Sequence, residues 1–501
     1  MSSENINHRT GAVTTVARIL LIAEAAALAL MCLMISSILP MKYLGIIIGV
    51  CVLAVALQII MVAGRGKKGR SIASIVLSVV LCAAAVFVIV FMKNFHDNLD
   101  RMSSVSRKKN MTITTQTINV YVRKADGLKL MSELSGKSIG VLQSQDTKNT
   151  QLALEQLDEL LEKKVVTTGY QGILPLLKGL ENSEVDAIMV NSAFSTALTE
   201  NDTTFLKWAE LLGTIDITRD LSEEEADEGE SSTKATAVKP VSDVTVQPFL
   251  VYLTGMDTRT DEIVADLGNS DVNMVIAVNP ATKQMTMVNI PRDYYWYLWG
   301  DQNYPDKITH TGYYGVDCSI QTMNSLFGIE INYFVKVGFN SVINIVDAIG
   351  GITVNSQYDF DCEGVYFHVG ENYLDGYSAL QFARERYSLP GGDRARGMNQ
   401  QEVIRAILSK VTSPEMLPRF NEVLSAVTSN VLTSIPVADM EKILKMTLEN
   451  NFGWNIESLQ VDGTGAWDYC YSLGDANDIM IPDWDTVEAA KARIAAVMNG
   501  Q

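Results

Sequence analysis

Arginines and acids recur in short polar motifs between residues 255 and 401, and these are the residues of the chain best suited to chemistry. The window opens with Gly255-Met256-Asp257-Thr258-Arg259 and Ser270-Asp271. It continues through Ile290-Pro291-Arg292-Asp293 and Asp306-Lys307-Ile308. It closes with Arg384-Glu385-Arg386 and Asp393-Arg394-Ala395-Arg396-Gly397-Met398-Asn399-Gln400-Gln401. A guanidinium fork meets two phosphate oxygens at once, which an ammonium cannot do. Carboxylates beside a phosphate commonly hold a hard divalent cation. The pattern points to a site that handles phosphate, with magnesium as the expected ion. The competing reading is surface ion pairing, which this many charges produce somewhere in any case.

The elements that must position these groups can be read around them. Phe249–Leu253, Val272–Val278 and Gln284–Ile290 have the character of strands, and residues 279–283 form a hairpin loop between the last two. Pro291 ends the third strand, so Arg292 and Asp293 sit at a strand end facing a loop. Asp257 likewise follows a strand. Functional groups on loops at strand ends are the usual arrangement in α/β folds. Helices over Ser319–Leu326 and Ser341–Ile349 flank a strand at Tyr333–Val337. Asp375 caps a helix from Gly376 to about Glu385, which puts Arg384 and Arg386 at its carboxyl end. Helical patterns follow over Gly397–Val411 and near 415–430 and 437–449, then a strand at 456–461 and a last helix at 483–498. Residues 247–501 read as one layered α/β domain.

What precedes this domain differs in composition. Apolar runs at about 19–39, 43–63 and 71–92 are each long enough to cross a bilayer, which takes about 20 residues. A cleaved signal peptide fits poorly, because the runs are too long and there are three. Only the first carries an acid, Glu24, which is expected near the interface rather than buried as a functional carboxylate. The loop Arg65-Gly66-Lys67-Lys68-Gly69-Arg70 is strongly basic. The positive-inside rule therefore places it in the cytoplasm, with residues 1–18 inside and everything after the third run outside. Residues 93–116 form a polar juxtamembrane stalk. From 117 to 220, strand-like runs (Thr117–Val122, Ser138–Leu142, Val165–Thr168, Val185–Val190) alternate with helical ones (Asn149–Leu161, Ile173–Leu180), implying an accessory domain built on a parallel sheet. It weakly resembles one lobe of a solute-binding protein, but it has no arginine between 125 and 218 to anchor a ligand, so a scaffolding role is expected. The acidic stretch 221–246 is a linker.

A net charge of −18 argues against nucleic-acid binding, which needs a basic footprint. Four histidines and no CxxC pair give no zinc spacing. Of the six cysteines, Cys318, Cys362 and Cys470 lie beyond the apolar runs, and one disulfide among them stays open.

Taken in order, these motifs resemble the LytR-CpsA-Psr family of cell-wall ligases over about 247–501, most closely over 255–403. With three membrane helices and an accessory domain, the chain is similar to the capsule-assembly branch. The resemblance implies an α/β fold with a central mixed sheet and a membrane-anchored, multi-pass phosphotransferase of the plasma membrane with its carboxyl-terminal region extracellular. Such an enzyme moves an anionic glycopolymer, of capsular or teichoic-acid type, from a polyprenyl-pyrophosphate carrier to peptidoglycan. It further implies that Asp257 and Asp271 hold Mg2+ (or Mn2+) against the pyrophosphate, that Arg292, Arg384 and Arg386 clamp its oxygens, and that Gln400 adds a polar contact. Arg259, Lys307, Asp293 and Arg396 are secondary candidates. Asn399 departs from the family pattern, where arginine is common. A lipid tail would need an apolar tunnel, for which Phe327, Ile329, Phe334, Val337, Phe339, Ile343 and Ile345 are candidates, with core packing the competing role.

The residues support that chemistry in their own right. Attack of a sugar hydroxyl on a pyrophosphate spreads negative charge over several oxygens, which fixed cations and a metal stabilise. No Ser-His or Cys-His nucleophile is evident, so direct transfer is expected, with Asp271 or Asp293 as proton acceptor. His310 and His368 are expected to be structural. The aromatic run Tyr294–Tyr297 with Trp299 could form a sugar platform, a lid, or plain packing. A non-catalytic sensor of lipid-linked precursor and a polyprenyl-pyrophosphate hydrolase are the alternative functions.

Overall fold

In a computed structural model the described residues are 3–63, 68–102, 113–220, 238–256, 267–411, 430–449 and 454–501, with positions 413, 423, 426 and 427 between the last segments. Contacts divide the chain into two units, residues 1–100 with 436–453, and residues 101–435 with 454–501.

The first unit holds three long helices, α1 (Ser3–Ile35), α2 (Met41–Ala63) and α3 (Lys68–Met102). Their apolar spans Val13–Ile35, Met41–Ala63 and Gly69–Asp97 are long enough to cross a membrane. Glu24 is wholly buried among the helices, whereas the sequence reading expected it to lie near the interface. Gln58 Nε2 donates to both its carboxyl oxygens at 2.7 and 2.9 Å, and Ser78 Oγ donates to Oε2 at 2.6 Å. Ser74 Oγ donates in turn to Gln58 Oε1 at 3.2 Å. A carboxyl group inside an apolar bundle persists only with such partners, and one comes from each of the other two helices. The same unit includes a helix from far along the chain, Val437–Glu449 (α12 in chain order). Its Glu441 meets His96 Nδ1 at 2.7 Å, and Lys445 Nζ donates to the Ser36 carbonyl at 3.4 Å.

The second unit contains two main sheets. The amino-terminal one comprises β1 (Ile113–Arg123), β2 (Ser138–Leu142), β3 (Val166–Tyr170), β4 (Ala187–Asn191) and β5 (Ala209–Asp220), in the order β3-β2-β4-β1-β5. It is mixed rather than parallel as expected. Helices α4 (Thr147–Leu160) and α5 (Ile173–Glu181) supply the crossovers that make β2, β3 and β4 parallel. The long strands β1 and β5 have no such crossover and run antiparallel, β1 to β4 and β5 to β1. Two short helices, α6 (Ser195–Asn201) and α7 (Phe205–Trp208), lead into β5.

The larger sheet has the order β16-β11-β6-β7-β8-β17. Its centre is β6 (Phe249–Met256), β7 (Ser270–Asn279) and β8 (Gln284–Ile290), an antiparallel meander. Lys283, at φ +56°, turns the β7–β8 hairpin while Asn279 Oδ1 accepts the amides of Ala281 and Thr282. A small ribbon of β9 (Tyr295–Tyr297) and β10 (Pro305–Lys307) follows. Next come α8 (Val316–Phe327), β11 (Tyr333–Gly338), parallel to β6, and α9 (Phe339–Ala348). Two small hairpin pairs, β12 (Ile352–Ser356) with β15 (Gly370–Leu374) and β13 (Phe360–Cys362) with β14 (Val365–Phe367), precede α10 (Gly376–Arg384) and α11 (Asp393–Val411). Edge strand β16 (Val431–Thr433) runs antiparallel to β11, and β17 (Asn455–Gln460) closes the other edge, parallel to β8. The expected helix near 415–430 falls largely outside the described residues. Sequence reasoning missed β5, α6 and α7, the β9–β10 ribbon, the short strands β12–β15 and β16, and the hairpin β18 (Gly463–Cys470) and β19 (Asp475–Pro482), which precedes α13 (Trp484–Met498).

The sheet separates two cores. On one face Val288 and Ile290 pack with Ile320 and Met323 of α8 and Val487, Ile494 and Val497 of α13. Alternate residues point the other way, toward α11. There Gln401 Nε2 donates to the Met287 carbonyl at 3.1 Å, and a Cβ at Gly397 would come within 2.2 Å of Asn289 Nδ2. A side chain there would push the Asn289 amide aside, so glycine suits this close approach of α11 to the sheet. Behind α11 lies a second core of Phe360, Phe367, Phe382 and Val403. The end of the expected linker also belongs to the fold. Val238 joins the first core, and Asn332 Nδ2 donates to the Lys239 carbonyl at 2.8 Å. Residues 221–237 lie outside the described residues.

Candidate functional site

Strand ends, helix ends and the unforeseen hairpin converge on one cleft of about 690 Å³. Asp271 enters from the start of β7, Arg292 and Asp293 from the loop after β8, and Lys307 from β10. Arg384 comes from the end of α10, Arg386 from the loop beyond it, and Arg396 and Gln400 from α11. These eight predicted residues line the same cavity. Asp257 and Arg259 lie outside the described residues. The geometry at the end of α10 follows from its cap: Asp375 Oδ1 accepts the Ser378 amide at 2.8 Å, as expected, and fixes where the helix begins.

The cations fall into two kinds. Arg292, mostly buried, is surrounded by acids. Its Nη1 is 2.8 Å from Asp271, its Nη2 3.2 Å from Glu200, and its Nε 3.7 Å from Asp293. Lys307 Nζ lies 3.4 Å from Asp293 and 3.2 Å from Asp478, and Arg396 pairs with Asp393. Arg384 and Arg386 differ: among the described residues no carboxylate pairs with either. Arg384 lies over the Phe339 ring at 5.5 Å, and Arg386 donates to the Tyr387 hydroxyl at 2.7 Å. Two guanidiniums lining the cleft without a carboxylate partner among the described residues are placed to take an anion.

The acids respond to this field. Burial alone would raise the Asp293 carboxyl, but Arg292, Lys307 and Arg396 outweigh it and hold the group below the usual range. Asp393 goes the other way, because burial pushes it up against the pull of Arg396. Asp271 accepts from Thr309 Oγ1 at 3.2 Å through the same Oδ1 that meets Arg292. Its other oxygen has no protein partner among the described residues, so a hard oxygen donor remains available to a divalent ion.

Several cleft residues were not foreseen as site residues. Thr199, Glu200 and Asn201 of α6 reach in from the amino-terminal sheet's domain. Trp467, Asn477 and Asp478 come from the β18–β19 hairpin, and His310 from the 3-10 segment Ile308–Tyr314. The spacing Asp306-x-x-x-His310 was the one signal present in the sequence, since His310 Nδ1 lies 2.5 Å from Asp306 Oδ1. With Cys470 these two form a buried cluster within 4.8 Å, but the carboxylate oxygens also accept the Lys307 and Ser472 amides at 2.7 Å each. Burial keeps the Cys470 thiol well above its ordinary pKa.

Other expectations resolve into packing. Of the seven tunnel candidates, Phe339 alone lines the cleft. Phe327 and Phe334 belong to the main core, and Ile329 borders a separate groove with Phe327. Asn399 is buried and donates to the Phe382 carbonyl at 3.0 Å, so the position that departs from the family pattern serves the helix contact here. In the aromatic run, Tyr294 is fully buried and Trp296 Nε1 donates to Ser325 Oγ at 2.8 Å; none of the five rings lines the cleft. All six cysteines are free.

Two relatives are polyisoprenyl-teichoic acid–peptidoglycan teichoic acid transferases TagU. The one from Enterococcus faecalis is 36% identical over 220 residues, which is 44% of this chain and 71% of the relative. The one from Bacillus mycoides is 36% identical over 223 residues, 44% of this chain and 70% of the relative. The crystal structure of B. subtilis TagV aligns over 50% of this chain and 98% of its own, at 23% identity and a TM-score of 0.43. The LytR_cpsA_psr family pattern matches residues 215–486, just over half of the sequence, and with that match and the two transferase relatives the chain belongs to the LytR_cpsA_psr family.

Proposed function

We propose that this protein is a membrane-anchored phosphotransferase that moves an anionic glycopolymer, of teichoic-acid or capsular type, from a polyprenyl-pyrophosphate carrier to peptidoglycan. The observation that carries the reading is the convergence of Arg292, Lys307, Arg384, Arg386 and Arg396 on one cleft, with Arg384 and Arg386 unclaimed by any acid among the described residues. A pyrophosphate brings the negative charge those two groups lack. As it is cleaved, charge builds on the bridging and terminal oxygens, where fixed guanidiniums need no reorganisation. The names of the TagU relatives support the same donor and acceptor. The basic loop at 65–70 supports a cytoplasmic position for itself and an extracellular one for the cleft.

Asp271, with Asp257, would hold the Mg2+ or Mn2+ ion, and its free oxygen fits such a hard cation. When bound, that ion would neutralise pyrophosphate charge. The chain's own groups bind and orient: Arg384 and Arg386 seize the outer oxygens, while Arg292 stays fixed by its three acids.

Full-length protein in lipid nanodiscs, supplied with a lipid-pyrophosphate-linked glycan, peptidoglycan strands and Mg2+, tests this. Polymer joined covalently to the strands, lost on chelation and regained with Mg2+, is the expected result. Free phosphorylated polymer without joining would mean hydrolysis, and donor binding without turnover would mean a sensor; either overturns the transferase reading.

A further inference from the structure

Transfer from a hydroxyl needs a group to take its proton, and the acids facing the cleft are committed elsewhere. Asp271 is held by Arg292 and Thr309. Asp293 lies between Arg292 and Lys307. A carboxylate locked to cations is a poor proton acceptor, because protonation forfeits those ion pairs. Glu200 also faces Arg292.

His310 lines the same cleft and is held differently. Its Nδ1 meets Asp306 Oδ1 at 2.5 Å, and Asp306 is wholly buried. Both Asp306 oxygens also accept backbone amides, Oδ1 from Lys307 and Oδ2 from Ser472. A carboxylate that only accepts places the hydrogen on Nδ1 and leaves the lone pair on Nε2. The ring stacks on Tyr313 at 5.2 Å and 15°, which fixes its plane. Its neighbour Thr309 ties it to the anion-facing residues, donating its amide to the Arg292 carbonyl at 2.9 Å and its hydroxyl to Asp271. His310 is 5% exposed, and with Nδ1 engaged, Nε2 is the ring nitrogen left to meet a solute from the cleft that the residue lines.

We propose that His310, oriented by Asp306, is the general base that deprotonates the acceptor hydroxyl. This rests on the transferase reading above. The acceptor oxygen forms a bond to the phosphorus that carries the glycopolymer. The phosphoanhydride bond to the lipid-side phosphate breaks, and polyprenyl monophosphate leaves with the electron pair. The hydroxyl proton passes to Nε2, the resulting imidazolium is stabilised through Nδ1–H by Asp306, and the proton is then lost to water. Asp306 acts through His310 and is a positioning residue.

The test uses full-length protein in nanodiscs, with donor binding, thermal melting and joining to peptidoglycan strands all measured. In wild type, absence of joining removes the transferase reading and this proposal with it. Given joining by wild type, His310→Gln should keep donor binding and melting temperature while transfer falls by roughly 10²- to 10⁴-fold, the usual contribution of a general base. In His310→Ala, added imidazole should restore part of the lost rate, which a structural role cannot explain. Transfer by His310→Gln within about threefold of wild type would overturn the assignment. So would a loss shared with donor binding and left unrescued by imidazole.

Discussion

Arg292 faces three carboxylates at once, and its Nε makes no hydrogen bond. Its truncation therefore does two things. Arg292→Ala should remove turnover, and it should also destabilise the protein by about 3 kcal/mol, because Asp271 and Asp293 are left partly buried without their main counter-charge. Arg384→Ala should cost comparable activity with the melting temperature unchanged, since that side chain is exposed, lies over the Phe339 ring and has no carboxylate partner among the described residues. Parallel melting and transfer assays separate the two; equal thermal penalties would contradict the division into clamped and open cations. At this scale the sequence was informative for those described groups that sat in a polar motif at a strand or helix end. Asp271, Arg292, Arg384 and Arg396 were legible for that reason. Glu200 was not, because nothing in Thr199-Glu200-Asn201 distinguishes it from any exposed helix terminus. It meets Arg292 only because another domain packs alongside, and such long-range placement leaves no local mark. His310 carried a partner four residues away, but the same spacing fits an ordinary helical pair.

Among the elements, the β18–β19 hairpin brings Trp467 to the cleft with 69% of its surface exposed. Tyr387, 87% exposed, lines it as well. Large rings left open beside a charged cavity suit the faces of sugar rings. Trp467→Ala should raise the KM for the peptidoglycan acceptor several-fold and leave donor affinity unchanged; an effect on donor alone would place the ring elsewhere in the reaction. The hairpin escaped sequence reading because β18 is exposed along most of its length and lacks the apolar alternation that announces a strand. Within the bundle, Glu24→Leu would leave the donors of Gln58 and Ser78 unmatched. Measured hydrogen bonds between membrane helices average about 0.6 kcal/mol, so losing three should weaken the bundle by roughly 2 kcal/mol, read by denaturant titration in detergent. Glu24→Gln, which keeps an acceptor, should cost less. An identical cost for the two variants would show that the carboxyl's partners do not matter.

At the level of the whole molecule, hydropathy alone marked the three membrane spans, and the order of motifs marked the carboxyl-terminal domain. The division into units was not legible. Residues 436–453 read as one more helix of the carboxyl-terminal domain, whereas Met446 and Thr447 of α12 are buried in the unit that holds the membrane helices. Amphipathic periodicity says that a helix has a face to cover; it does not say which neighbour covers it.

The strands on either side of α12, β16 and β17, form the two opposite margins of the larger sheet. A soluble fragment trimmed of its first hundred residues therefore keeps a connector stripped of its seat, spliced between both borders of the fold that carries the cleft. Such a fragment should self-associate on size-exclusion chromatography, and swapping Met446 for a polar residue should return it to a monomer. Kinetic studies on excised carboxyl-terminal pieces would then report on a protein that carries this uncovered connector within its chain.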